Sequence, residues 1–263
     1  MMKFTRIFGC IISCILSFCG QPVSAASAGD KSDGSITTSW IARPTDKWPQ
    51  IVLTNLAEFH DHTALNGASS FLVQLADGRI IAATALHLLG TDGGVEPTVK
   101  PEELGEALSF WKMYPRTRLK TSVMISGMAC PLPLAENLDW LLLKLKGEAP
   151  KLPSLPLKLR SNPISEGEAV FLVGVPYSEP DHVQNVYRGQ VTGRGYGDRF
   201  RFTVEPAVDL RGFSGAPILD SQGLVAGVFT IWFDPKMQGD LYTEGGGEDA
   251  ASALHQLESA PVQ

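Results

Sequence analysis

Short β-prone runs recur along the chain, at residues 51–53, 70–75, 80–84, 122–125, 141–145, 169–175, 187–192, 200–204 and 224–232, separated by clusters of glycine, proline and polar residues. Runs this brief suit strands rather than helices. Their regular interruption predicts an all-β chain of short antiparallel strands, as in a sandwich or a pair of barrels. The 26 glycines and 18 prolines supply the turns while staying below the share that marks a disordered chain. With 44% apolar residues the chain can also fill a packed core. A formal charge of −6 leaves no basic footprint, so no nucleic-acid partner is expected. One segment departs from the strand rhythm: Leu104, Ala107, Leu108 and Trp111 follow at helical spacing, which predicts a short surface helix within residues 101–111.

The two ends read differently from the middle. Lys3 and Arg6 precede an apolar run at 7–19, and Val23-Ser24-Ala25 offers small side chains before a cleavage point, the layout of an export signal over residues 1–25. That run falls well short of the roughly 20 residues needed to cross a bilayer, so no stable membrane span is expected. Ile11-Ile12-Ser13-Cys14 also resembles a lipobox, with a very short apolar stretch before it. Residues 26–47 are rich in Ser, Gly and Thr and read as a linker, with order beginning near Trp48. Cys10, Cys14 and Cys19 belong to the signal, which leaves Cys130 without a partner and makes the core the source of stability. A domain over 48–235 is expected in two halves, about 48–147 and 155–235, joined through a proline-rich link at 147–163. Residues 236–263, Gly-rich and acidic and then weakly helical, read as a mobile tail.

Three segments carry chemistry. In Asp209-Leu210-Arg211-Gly212-Phe213-Ser214-Gly215-Ala216-Pro217, a serine stands between glycines on a tight turn, where backbone N–H groups can face an oxyanion. Upstream, the apolar run 80–86 ends in His87, which projects a titratable ring from a strand end. Between them Asp139 opens an almost wholly apolar strand, and a carboxylate beside so much apolar surface needs a partner, for which His87 is the candidate. Each has an ordinary reading as well: a β-turn, a packed imidazole and a solvated acid. His60-Asp61-His62 lacks an evident third ligand and reads as a surface turn rather than a metal site. Arg188, Arg194, Arg199, Arg201 and Arg211 read as a solvated basic face, with an anionic substrate region as the alternative, and Cys130 reads as a small buried hydrophobe.

Taken in the order His87, Asp139, Ser214, the three segments resemble the catalytic blocks of trypsin-like (chymotrypsin-fold) serine peptidases, over about residues 67–232. Gly174-Val175-Pro176 and Gly189-Gln190-Val191 resemble second-barrel strands of exported bacterial members. The resemblance implies two packed antiparallel β-barrels, with His87 and Asp139 from the first meeting Ser214 of the second in the cleft between them. It implies acyl transfer with His87 as base, Asp139 as its support, and the amides of Gly212 and Ser214 as oxyanion donors. Val208, Thr230 and Trp232 are then candidates for the substrate-binding wall, with Thr230 also within the family's habit of supporting the acid. Some positions depart from the family pattern. Leu86 and Trp140 are bulkier than usual, Trp232 stands near a usual pocket glycine, and Phe213 stands where digestive members carry an Asp that pairs with a new amino terminus. The expectation is an exported, secreted or periplasmic serine endopeptidase, monomeric, without a cofactor or metal, acting on polypeptide. The competing reading is a catalytically silent relative that binds polypeptide in the same cleft.

Overall fold

The structure, a computed structural model, describes residues 40–258 except 133, 135, 136 and 148–150, so the expected signal and most of the expected linker lie outside the described residues. Strands β1 (Leu53–Phe59), β2 (Leu65–Gln74) and β3 (Ile80–Ala85) are followed by a single turn of helix, α1 (Leu104–Ala107), and by β4 (Leu108–Tyr114), β5 (Val123–Met128) and β6 (Trp140–Leu145). They close a six-stranded antiparallel barrel in the order β1-β2-β3-β6-β5-β4. The helix expected within 101–111 is thus cut short: Leu108 and Trp111 belong to β4, where Trp111 is buried and donates its ring N–H to Asn55 on β1. The helical spacing loses to strand pairing because β1 offers β4 a full antiparallel partner from Thr54 to Phe59.

The second barrel uses β7 (Ala169–Gly174), β8 (Asn185–Arg194), β9 (Arg199–Val208), β10 (Pro217–Asp220) and β11 (Val225–Phe229), then β12 (Met237–Gln238) and β13 (Leu241–Asp249), with helix α2 (Ala250–Glu258) after them. Its six-stranded ring runs β11-β10-β7-β8-β9-β13 and closes through the β11–β13 pairing, with β12 attached outside. The tail expected to be mobile therefore supplies the closing strand. Its glycines, read as flexible, are the places where a backbone is approached closely: a side chain added at Gly245 would meet the Phe202 ring at 2.7 Å, and one at Gly247 the Ile218 side chain at 2.5 Å.

Why some strands are apolar on both faces follows from the barrel contact. Leu141 and Leu143 of β6 fill the first barrel, whereas Trp140 and Leu142 point outward into a shared cluster with Phe71, Ile81, Leu219, Val225 and Val228. The second barrel's own core is aromatic, with Phe200, Phe202, Phe213 and Phe229 buried together. Each such ring or leucine, fully withdrawn from water, contributes about 2 kcal/mol. Trp40 and Trp48 also enter the shared cluster, 5.1 Å apart, so the ordered domain begins before Trp48 and takes in residues 40–47 of the expected linker. The proline-rich link runs along the same contact: Leu157 bridges Val73 of β2 and Leu159 bridges Val225 of β11. Cys130 is free and buried. No helix among the described residues is long and apolar enough to cross a membrane.

Candidate active site

The pairing of β3 with β6 puts Ala85 opposite Trp140, so the residues just beyond those strand ends, His87 and Asp139, are brought together by register alone. A short 3-10 turn at Leu86–Leu89 then carries His87. The Asp139 carbonyl accepts from the Leu86 amide at 2.8 Å, and its carboxylate Oδ1 accepts from the His87 amide at 2.9 Å. His87 Nδ1 lies 2.8 Å from Asp139 Oδ2, and Thr230 donates its hydroxyl to the same oxygen at 2.5 Å. A carboxylate only accepts, so Nδ1 bears the proton and Nε2 is left with its lone pair available. Burial opposes the charged imidazole, but the hydrogen bond and charge of Asp139 outweigh it and raise His87 above the ordinary histidine value. Burial likewise pushes Asp139 upward, and the bonds and charge of His87, with the Thr230 hydroxyl, bring it below the ordinary carboxylate value.

Ser214 comes from the other barrel, on the turn between β9 and β10. Phe213 anchors that turn with its ring fully buried 5.5 Å from Tyr187 and 6.1 Å from Phe229. The turn is also tied to β2: the Ser69 amide donates to the Ser214 carbonyl at 2.8 Å and the Ser69 hydroxyl to the Gly212 carbonyl at 2.8 Å. Arg211, Phe213, Gly215 and Ala216 each spend their amide on an acceptor within the protein. The amides of Gly212 and Ser214 have no acceptor among the described residues, an arrangement suited to receiving an external oxyanion. Tyr177 braces the same loop, accepting from the Ala68 amide at 2.7 Å and donating its own amide to the Arg211 carbonyl at 3.0 Å.

Gly215 is the tightest point of the contact. Its φ is +82°, and an added Cβ would lie 2.3 Å from both the Ser69 carbonyl oxygen and the Thr84 hydroxyl. Gly215→Ala should therefore push the serine turn off β2, destabilising the protein by about 2–4 kcal/mol and lowering any turnover more than tenfold, because left-handed strain adds to overpacking. Thermal unfolding and kinetics on the same preparation test this, and a variant matching wild type in both would contradict the packing.

His87, Asp139, Gly212, Ser214, Thr230 and Trp232 all line one cleft of about 710 Å³. No hydrogen bond joins Ser214 to His87 directly, a looseness common in sites without substrate. Thr230 is 4% exposed and turned to Asp139, so its part is to hold the acid more than to meet a substrate. Val208 is not in the cleft wall at all. It is buried in the second barrel's core, and Leu210 and Tyr242 form that part of the lining, because the inward face of β9 takes Val208 before the chain turns toward the serine. Trp232 lies along the wall, 5.0 Å from Phe233 and beneath the guanidinium groups of Arg201 at 5.1 Å and Arg199 at 5.9 Å. The basic face expected from the sequence divides: Arg194 pairs with buried Asp249 and Arg211 with Asp209, while Arg199 reaches the cleft. Among the described residues no group of His, Cys, Asp and Glu is disposed to hold a metal ion.

One participant escaped the sequence reading. Glu248 on β13, 3% exposed, accepts the Asp139 amide at 2.7 Å. The signal available for it was the glycine run before it, which marks close backbone approach in a strand as readily as it marks flexibility.

Solved structures with the same architecture include the Rv3671c protease from M. tuberculosis in its active form, 17% identical over 95% of this chain and 97% of that one, with a TM-score of 0.50. The protease Anisep from Arthrobacter nicotinovorans is 13% identical over 79% and 93%, with a TM-score of 0.56. The HtrA-type protease AlgW, solved with a tripeptide, is 16% identical over 85% and 62%, with a TM-score of 0.51. At such identities the likeness establishes the two-barrel fold. No curated protein matches the chain by sequence. The family description "trypsin-like peptidase domain" matches residues 37–228, most of the chain's length with His87, Asp139 and Ser214 inside it, and the protein belongs to that family.

Proposed function

We propose that the protein is an exported serine endopeptidase, acting as a monomer, in which Ser214, His87 and Asp139 hydrolyse peptide bonds through an acyl-enzyme. The observation that carries the reading is the His87–Asp139 pair, which fixes the imidazole tautomer in a cleft that also holds Ser214 and two unspent amides. His87 Nε2 takes the proton of Ser214 Oγ as that oxygen bonds to the substrate carbonyl carbon. The carbonyl oxygen gains the negative charge and is met by the Gly212 and Ser214 N–H groups. Collapse breaks the C–N bond, His87 gives its proton to the departing amine, and the ester left on Ser214 is cleared by a water that His87 deprotonates in turn. Asp139 stays ionised throughout and stabilises the imidazolium. Export rests on the leader layout of residues 1–25.

Labelling with a fluorophosphonate tests the nucleophile, because the reagent bonds only to an activated serine. Expected is one adduct on Ser214 and none after Ser214→Ala. Because only the neutral imidazole accepts the serine proton, and His87 is raised, labelling should rise with pH through a midpoint above about 6.5. A folded protein that is never labelled and cleaves neither casein nor a peptide ester would instead be a silent polypeptide binder.

A further inference from the structure

Glu248 is a buried carboxyl with very little to hold it. Among the described residues its carboxyl has one hydrogen bond, from the Asp139 amide at 2.7 Å, and no cation within ion-pair distance. An ionised carboxylate offers about four acceptor sites, so a single N–H leaves most of that charge uncompensated away from water. Among the described residues the groups that face it are few. Asp139 is directly ahead with His87 beyond it, Arg199 is opposite on β9, and Asp198 is beside that strand's start. On its own strand Asp249 is already engaged by Arg194 at 2.7 Å. The β11 neighbour is Val228, which carries no charge.

We propose that Glu248 is a positioning residue of the candidate triad: its carboxyl pins the main chain of Asp139, and the gain or loss of its proton sets the charge behind His87. The inference rests on the triad reading above and adds a second acid to it. Burial and the charge of Asp139 raise Glu248, against the opposing pull of the Asp139 amide and Arg199, to about 7. Below that pH the Glu248 carboxyl is neutral. Above it a second negative charge stabilises the imidazolium, so His87 surrenders its proton only at higher pH. Deprotonation of the two groups is then coupled, and the activity limb is broader than a one-proton curve.

Glu248→Gln is the direct test, since the amide keeps an oxygen for the Asp139 N–H and removes the titration. Expected is a kcat/KM limb that moves to lower pH by about half a unit and sharpens to a single proton, with the plateau changed by less than about threefold. A purely structural role would lower the plateau and leave the midpoint alone. The second measurement needs no change at Glu248: in Ser214→Ala protein, the Asp139 amide proton is followed by NMR from pH 5 to 9. It should show an inflection near 7 that the His87 ring carbons do not share as their main transition. Superimposable profiles for wild type and Glu248→Gln, or an Asp139 amide that reports only the His87 transition, would overturn the proposal. Should the protein lack hydrolytic activity, the NMR titration still decides the case of Glu248 by itself, while the triad reading falls on the labelling result.

Discussion

Ser214→Ala should leave a folded protein with an unchanged melting temperature and abolish hydrolysis, by on the order of 10⁶ in turnover. The substitution removes one oxygen that has no hydrogen bond among the described residues, while the turn around it stays held by the Phe213 ring and by the two hydrogen bonds from Ser69. Asp139→Asn should be almost as damaging, by on the order of 10⁴. The geometry explains why. Asp139 Oδ1 accepts the His87 amide, so an asparagine would keep its oxygen there and turn its NH2 toward the position of Oδ2. That position faces the Thr230 hydroxyl and His87 Nδ1. The hydroxyl can rotate to accept, but the imidazole can accept only by shifting its proton to Nε2, and then nothing remains to take the proton of Ser214. Steady-state kinetics with a peptide ester, on protein checked by circular dichroism, read both effects. Turnover by Asp139→Asn within tenfold of wild type would remove Asp139 from the mechanism.

The parts of this site that the sequence made legible are those whose signal is local. A serine between two glycines marks a tight turn, and a histidine after an apolar run marks a strand end. Asp139 could be joined to His87 because β6 is apolar on both faces, a pattern that leaves a carboxylate few other partners. What stayed hidden depends on pairing across the chain. Val208 looks like a cleft residue by its distance from Ser214, yet strand alternation turns it into the barrel core. Trp140 looks like an intrusion beside the acid, but its ring packs 6.1 Å from Phe71 between the barrels and its N–H donates to the Asp249 carbonyl. Phe213 signals only the loss of an ion pair until its neighbours Tyr187 and Phe229 reveal it as the anchor of the serine turn. Trp40 and the glycine run of β13 mislead for one reason: Ser- and Gly-rich composition suggests mobility, and only the surfaces they meet convert them to ordered structure.

The largest structural effect expected is that of removing β13. Ending the chain after Phe233 would leave the hydrogen-bonding edges of β9 and β11 without the strand that joins them, opening the second barrel. Groups that remain would lose their partners as well: the partly exposed Arg194 its ion pair with Asp249, the buried Ile164 amide its bond to the same carboxylate at 3.0 Å, and the buried Asp139 amide its bond to Glu248. Each orphaned buried group costs about 1–3 kcal/mol, a sizeable share of the roughly 5–15 kcal/mol that holds an ordinary domain, and this adds to the loss of strand pairing on both sides of β13. Truncation after Phe233 should therefore abolish the cooperative thermal transition and yield insoluble or protease-sensitive protein. Ending instead after Asp249 spares the barrel and removes only α2, whose Ala250 and Ala253 pack on the shared cluster, so that variant should melt cooperatively at a lower temperature. A mobile tail predicts no difference between the two truncations and wild type. If the shorter chain still unfolds cooperatively within about 5 °C of the full one, a shift worth roughly 1–2 kcal/mol at this size, β13 does not close the barrel.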